Sequence, residues 1–361
     1  MSVRRWQDNS ELVSIMNNPV STWLYGSPQW QIYRPDLQRV LFECAKEHPS
    51  VSVLFGKSMV SVDHETGTVH LSHGEIIEAD LTVAADGIWS RARRCLPATK
   101  DVVPTPYREH VYRAVIPRSR MLSNPITAPL MSSLEAKSWL GPGACVLDYT
   151  VGSESLYNLA ISVPRPSGVP LGSWNQPGDV EIMRELVSEW CEEVRALASL
   201  VQDGECASWT LGEVRAIPSY VSVSGRVALI GDAAHALLPH AGQGAGMAME
   251  DAASLAEFLD HSNPRHDLPD VMNARGNASD MTLEDGQPQI ARDEKWKVVR
   301  DMQRAQLAEL GVDRFKEKVI KERPVADPNA KSTIEPGGAM WINGTDISVE
   351  AQMFCREHLK K

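Results

Sequence analysis

From Tyr33 to His48 the apolar positions Leu37, Val40, Leu41 and Cys44 recur at i, i+3, i+4 and i+7, and Pro35 suits a first helical turn. The stretch YRPDLQRVLFECAKEH therefore predicts an amphipathic helix. The spacing then drops to two. Val51–Leu54, Met59–Asp63, Thr68–Leu71 and Leu81–Ala84 read as short strands, the middle ones separated by the turn formers HETG and SHGE. The last of them, LTVAA, is apolar without a break, the pattern of a strand covered on both faces. Residues 1–30, with Trp6, Trp23 and Trp30 among polar residues and prolines, read as irregular.

A second β pattern follows. YREHVYRAVIP, GACVLDYTV and LYNLAISVP alternate apolar and polar positions, with longer Pro- and Ser-rich connections, and predict a mostly antiparallel sheet. DVEIMRELVSEWCEEVRALASL (Asp179–Leu200) predicts one amphipathic helix. RVALIGDAAHA predicts a buried strand running into a turn, and GAGMAMEDAASLAEFLD the helix after it. From His261 to Glu294 the periodicity decays into turn formers. A helix is expected to resume near Lys295–Leu310, and the chain after Arg323 is polar and Pro/Gly-rich except for AMWINGTDISVEAQMF. Two β patterns with intervening helices predict a mixed α/β protein with interleaved sheets. There is no internal repeat and no low-complexity segment.

Composition narrows the picture. Of 361 residues, 43% are hydrophobic and 23% charged, ordinary for a globular protein. The formal net charge of -11 argues against a general surface for nucleic acid or anionic membrane. The six cysteines are scattered, with no CxxC pair and no His/Cys cluster at zinc spacing, so no metal site is expected and the thiols read as reduced. The opening MSVRRWQDNSEL lacks an apolar core of signal-peptide type, and no apolar run approaches the roughly 20 residues of a membrane helix. A cytoplasmic protein is expected.

The chemistry concentrates in GDAAHALLPHAGQGAGMAMEDAASLAEFL (Gly231–Leu259). Gly231 lets the chain turn closely at the end of the VALI strand. Asp232 then stands at a carboxyl strand end, the usual ligand position in α/β sheets, where a carboxylate can bind polyol hydroxyls. Ala233, Ala234 and Ala236 let a flat ligand approach the backbone. GQGAG precedes a helix beginning about Ala245, so free backbone amides and the positive end of the dipole would face a ligand that gains negative charge. ADLTVAADGIWSRARRCL (Ala79–Leu96) is a second strand-turn unit, with Asp86-Gly87, then Ser90 and either Arg93 or Arg94.

These two strings resemble the motifs of the class A flavoprotein monooxygenases, of the salicylate hydroxylase and para-hydroxybenzoate hydroxylase type. The elements of the family's second flavin motif are present as Gly231, Asp232, Ala233, Ala234, His235, Pro239, Gly242, Gln243, Gly244, Glu250, Asp251 and Ala252. The resemblance implies a glutathione-reductase-like FAD/NAD(P)-binding domain with an interleaved antiparallel-sheet substrate domain. It implies FAD as cofactor and NAD(P)H as co-substrate. It also implies hydroxylation of a phenolic small molecule by O2, through a flavin hydroperoxide, in the metabolism of aromatic acids or polyketide-type phenols. Asp232 would bind the ribityl chain, Gly244 and Ala245 the flavin ring, Asp86 would sit near the pyrophosphate, and Arg34 would reach the ribityl or phosphate region. Arg113 and Tyr149, in the middle sheet, are candidates for substrate contact: an arginine can hold a phenolate or carboxylate bidentately, and a tyrosine hydroxyl can share the phenol's proton. A surface ion pair for Arg113 and a core position for Tyr149 are equally open. His240 can act as a base above the ring or simply be a capping or solvated histidine.

The expected division is residues 1–106 with 222–310 as the FAD-binding part, 107–221 as the substrate-binding part, and 311–361 as a helical or irregular tail. The family's opening strand, G-x-G-x-x-G and helix have no counterpart here, since the first 30 residues hold a single glycine, Gly26. An N-terminally truncated domain is therefore expected, with three origins open: an incomplete reading of a monooxygenase gene, a degenerate homologue that binds FAD poorly, or a non-redox binding protein, isomerase or cyclase reusing the cavity.

Overall fold

Thr105–Pro117 alternates between two environments: Tyr112, Ala114 and Ile116 are buried, and Arg113 and Val115 between them are only half-buried. This strand, β7 in chain order, belongs to an eight-stranded sheet. Its other members are β1 (Ser2–Arg5), β2 (Glu11–Ser14), β8 (Lys137–Gly141), β9 (Ala144–Val151), β10 (Leu156–Pro164), β11 (Gln176–Pro177) and β12 (Cys206–Glu213), in the order β11-β12-β7-β10-β9-β8-β1-β2. The β7-β10-β9-β8 run is antiparallel, and β1 joins β8 in parallel. The structure, a computed structural model, describes residues 1–14, 31–133, 135–152, 155–172, 176–239 and 242–261. The helix expected at 295–310 and the C-terminal tail lie outside the described residues.

One face of this sheet carries the core. Ile116, Trp139, Val146, Leu159, Ile161 and Leu197 are fully buried there, each large aliphatic contributing on the order of 1.5–3 kcal/mol. Covering helices are α4 (Val180–Leu186) and α5 (Glu192–Ser199), where the sequence reads as one helix. Asp179 caps the first, its Oδ1 accepting the Glu181 and Ile182 amides. The break between them has a cause outside the helix: the Cys191 amide donates to the Trp6 carbonyl at 2.7 Å, and Trp190 packs against Trp6 with ring centroids 5.8 Å apart. Hydrogen bonding to the chain just after β1 thus replaces a helical turn.

Two further expectations fail. Residues 2–5 and 11–14 are strands rather than irregular, turning at Asn9 with φ 60°, a conformation asparagine tolerates. Their order comes from the edge of β8 and from Trp139, whose indole N–H donates to Asn9 Oδ1 at 2.8 Å, not from their own pattern. Val51–Leu54 pairs with no strand among the described residues, and Val51, Val53 and Leu54 stay exposed. A strand pattern without a partner cannot satisfy its backbone and is not a strand.

By contact the chain divides into two units, Met1–Leu54 with Pro106–Leu211, and Phe55–Thr105 with the chain from Gly212 onward. The first also holds α1 (Arg34–Lys46), with no buried residue, and α3 (Arg118–Leu122). In the second, β3 (Met59–Val62), β4 (Val69–Leu71) and β5 (Ile76–Ile77) form an antiparallel meander. A parallel pair, β6 (Thr82–Ala84) and β13 (Val227–Leu229), packs with α2 (Arg91–Cys95), α6 (Asp232–His235) and α7 (Gly244–His261). Val83 on β6 is 39% exposed, whereas all three residues of β13 are fully buried.

The first unit's core contains an anomaly. Asp148 on β9 is completely buried, and neither carboxyl oxygen makes a well-formed hydrogen bond, although the Tyr157 side chain and the Lys137 backbone lie close enough to act on it. Burial pushes its pKa well above the carboxylate range, against the attraction of Lys137, its register partner on β8; Tyr157 on β10 and Glu193 on α5 also act on it. Lys137 is already bonded to Glu193 at 2.6 Å. With its pKa raised on folding, Asp148 favours the folded state fully only below the unfolded value, roughly 3.9, and that contribution is lost as pH climbs toward the folded value. As pH rises over this range, the urea midpoint of the native chain is expected to fall relative to that of Asp148→Asn. An identical pH slope in both proteins would refute the assignment.

Candidate functional site

Within the second unit, β13 lies parallel to β6 in the register Val227↔Thr82, Ala228↔Val83 and Leu229↔Ala84, and the Ile230 amide donates to the Ala84 carbonyl at 3.0 Å. Both strands leave the sheet at the same edge. Asp86 and Asp232 are thereby delivered to neighbouring carboxyl ends, as the sequence predicts for each separately.

Asp86 turns inward on its own loop. Its Oδ2 accepts the Arg91 and Ala92 amides at 2.7 and 3.1 Å, which caps α2, and Ser90 Oγ accepts the Arg93 amide at 2.9 Å. Arg93, not Arg94, is the structural member of the motif. It is 1% exposed; Nη1 donates to the Ala233 carbonyl at 2.8 Å and Nη2 to the Ile88 carbonyl at 2.5 Å. Burial lowers its pKa from the usual arginine value, with Asp86 opposing. One guanidinium thus ties the Asp-Gly turn to the Gly-Asp-Ala-Ala turn.

Gly231 adopts φ +56°, and a Cβ there would stand 3.2 Å from the Ala248 Cβ of α7, so a small residue is required on both counts. Asp232 follows it at the first position of α6, exposed, with a carboxylate that makes no hydrogen bond among the described residues. α7 runs for 18 residues from Gly244. Its first amides have no acceptor within the helix, and the amide of Met247 donates back to the Gln243 carbonyl at 2.9 Å. A Cβ added at Gly87, Gly242 or Gly244 would meet nothing within 4 Å. A free carboxylate, open glycines and the positive end of a helix suit a group with hydroxyls along one part and a ring that gains negative charge at the other. FAD fits these residues.

His235 Nε2 lies 2.7 Å from Asp251 Oδ2, and the same oxygen accepts the Gly231 amide at 2.7 Å. Burial alone would lower the His235 pKa, but the hydrogen bond and charge of Asp251 outweigh it and the net shift is upward. Motif matching marks both residues without giving them this contact.

In the first unit, Arg113 and Tyr149 occupy the sheet face opposite the helix-covered core. The register sets Ala160 against Arg113 and Asn158 against Tyr149, so these four residues share one side. Asn158, which the sequence reading missed, accepts from Arg113 Nε at 2.8 Å through Oδ1. Nε is the only guanidinium nitrogen of Arg113 with a partner among the described residues, so the Nη edge remains for a bidentate contact. Arg34 stands exposed at the first position of α1, in the first unit. His240 lies outside the described residues. No group of three metal-ligating side chains occurs among the described residues, and no described helix is long and apolar enough to cross a membrane.

The family model for an FAD binding domain matches residues 24–262. The chain is 30% identical over 275 residues to the FAD-dependent monooxygenase OpS4 of Beauveria bassiana, covering 75% of this chain and 63% of that protein. It is also 30% identical over 263 residues to a 3-amino-4-hydroxybenzoate 2-monooxygenase of Streptomyces cremeus, covering 72% and 61%. Among solved structures, a salicylate hydroxylase substrate complex superposes with a TM-score of 0.64 at 26% identity, over 98% of this chain and 81% of that one. The chain thus spans somewhat over three fifths of the curated relatives' length.

Proposed function

The chain belongs to the family built on the FAD binding domain, and from that membership we propose that it is a flavin-dependent monooxygenase hydroxylating an electron-rich aromatic ring, with NAD(P)H as co-substrate and O2 as oxidant. The observation that carries the reading is the convergence of Asp86, Asp232 and the open start of α7 at one edge of the β6–β13 pair. A bound flavin supplies hydride acceptance and activation of dioxygen, which no side chain offers. The chain's own residues bind and orient. Asp232 accepts hydrogen bonds from the polyol chain, and Asp86 serves the phosphate end. The amides of Gly244 and Ala245, at the positive end of α7, stabilise negative charge on the ring.

Arg113 holds the anionic group of the aromatic substrate through its Nη edge, with Asn158 fixing the guanidinium plane. Tyr149 shares the proton of a ring hydroxyl, which raises the ring's electron density. The relatives' names support an aromatic acid as substrate: one is named for 3-amino-4-hydroxybenzoate and one for 6-hydroxynicotinate.

NAD(P)H oxidation by the FAD-loaded chain is expected to rise when phenolic acids are added, with hydroxylated product matching the NAD(P)H consumed. In Arg113→Ala the ratio of product to NAD(P)H is expected to fall about tenfold, as removal of one charge-assisted hydrogen bond implies, while FAD affinity stays at the native value. Native-like coupling in Arg113→Ala would remove this residue from the substrate site.

A further inference from the structure

We propose that Asp251 is a positioning residue that fixes the Asp232 turn and the start of α7 to one another, and so sets the spacing of the flavin-binding groups. The inference rests on the flavin reading above. A single oxygen, Oδ2, accepts the Gly231 amide at 2.7 Å and meets His235 Nε2 at 2.7 Å. Gly231 is the turn that delivers Asp232, and His235 closes the short helix that Asp232 begins. Asp251 belongs to the same rigid helix as Gly244 and Ala245. One carboxylate therefore joins the two parts of the site, which are separate elements along the chain.

The local chemistry makes this hold stiff. The side chains of His235 and Asp251 are 11% and 17% exposed, so the contact is largely screened from water. His235 Nδ1 is buried without a partner, which leaves Nε2 as the ring's polar attachment among the described residues. The groups facing the imidazole are Asp251 from α7, Asp232 from its own helix and the Tyr220 ring, T-shaped at 6.3 Å. Glu250, beside Asp251, is itself pushed toward the protonated form by burial and by the Asp251 charge. On the same face of α7, one turn earlier, Ala248 sits against Gly231. α7 is thus held to the turn by packing and by one shared oxygen.

Two readouts test the role on the whole chain. In the flavin-free protein, the His235 imidazole followed by NMR is expected to titrate above the ordinary value of roughly 6.5, and to lose that displacement in Asp251→Asn. FAD affinity, read by fluorescence quenching, is expected to weaken about tenfold in Asp251→Asn. In a double-mutant cycle, the effect of Asp232→Ala should shrink by up to about tenfold in the Asp251→Asn background, because residue 232 is no longer held in place. Asp251→Glu keeps the charge and displaces the oxygen; it should retain an upward His235 shift yet bind FAD several-fold more weakly. Native FAD affinity in Asp251→Glu, independent effects in the cycle, or an unchanged His235 titration in Asp251→Asn would each overturn the proposal. A displaced His235 titration in a native chain that binds no FAD would instead defeat the flavin reading, and the positioning role with it.

Discussion

Asp232→Ala is expected to weaken FAD binding by about 30- to 100-fold without moving the unfolding midpoint. The two halves of this result have separate causes. Asp232 is exposed and its carboxylate makes no hydrogen bond among the described residues, so its removal leaves no buried group unpaired in the flavin-free fold. The affinity change is that of a charge-assisted hydrogen bond to hydroxyls, about 2–2.7 kcal/mol, or 30- to 100-fold. Isothermal titration with FAD, paired with a thermal melt of the flavin-free variant, separates the two. Unaltered affinity would take Asp232 out of the site. A lowered midpoint would make it a structural residue.

Arg93→Met is expected to do the reverse, destabilising the flavin-free protein by about 3 kcal/mol or more. Arg93 is buried and donates to the Ala233 and Ile88 carbonyls, with a longer hydrogen bond from Nε to the Val102 carbonyl at 3.4 Å. Methionine fills part of the space but strands those acceptors away from water, at about 1–3 kcal/mol for each carbonyl left unpaired. Arg93→Lys keeps the charge and gives up the fork, so it should fall between the two. Urea unfolding of the three proteins measures the order. Equal midpoints for Arg93→Met and the native chain would show that the link between the two turns does not hold the unit together.

These paired outcomes mark where the sequence is legible. Asp86 and Asp232 are readable because each ends an apolar strand and precedes a helix, a local pattern. That the two strands adjoin in parallel is a tertiary fact, and so is the choice of Arg93 over Arg94. Two adjacent arginines look alike until one of them reaches Ala233, 140 positions away. The Asp251 bonds with Gly231 and His235 escape periodicity for the same reason. In the sheet unit, β7, β9 and β10 are read with nearly their observed limits because alternation with a period of two is strong over eight or more residues. β1 and β2, at four residues each, carry too little pattern and owe their order to β8 and Trp139. The split between α4 and α5 fails for a related reason: both halves keep a helical apolar pattern, and the break is made by a carbonyl of Trp6. Asn158 reads as one of the polar positions of an alternating strand, and only the register beside Arg113 and Tyr149 gives it meaning.

The central claim is that the carboxyl edge of β6 and β13, with the start of α7, binds FAD. Equilibrium titration of the purified 361-residue chain with FAD, followed by flavin fluorescence, tests it most directly. The account predicts saturable one-to-one binding, weakened by about 30- to 100-fold in Asp232→Ala. Absence of saturable binding at excess FAD, or equal binding by the native and Asp232→Ala chains, would contradict it.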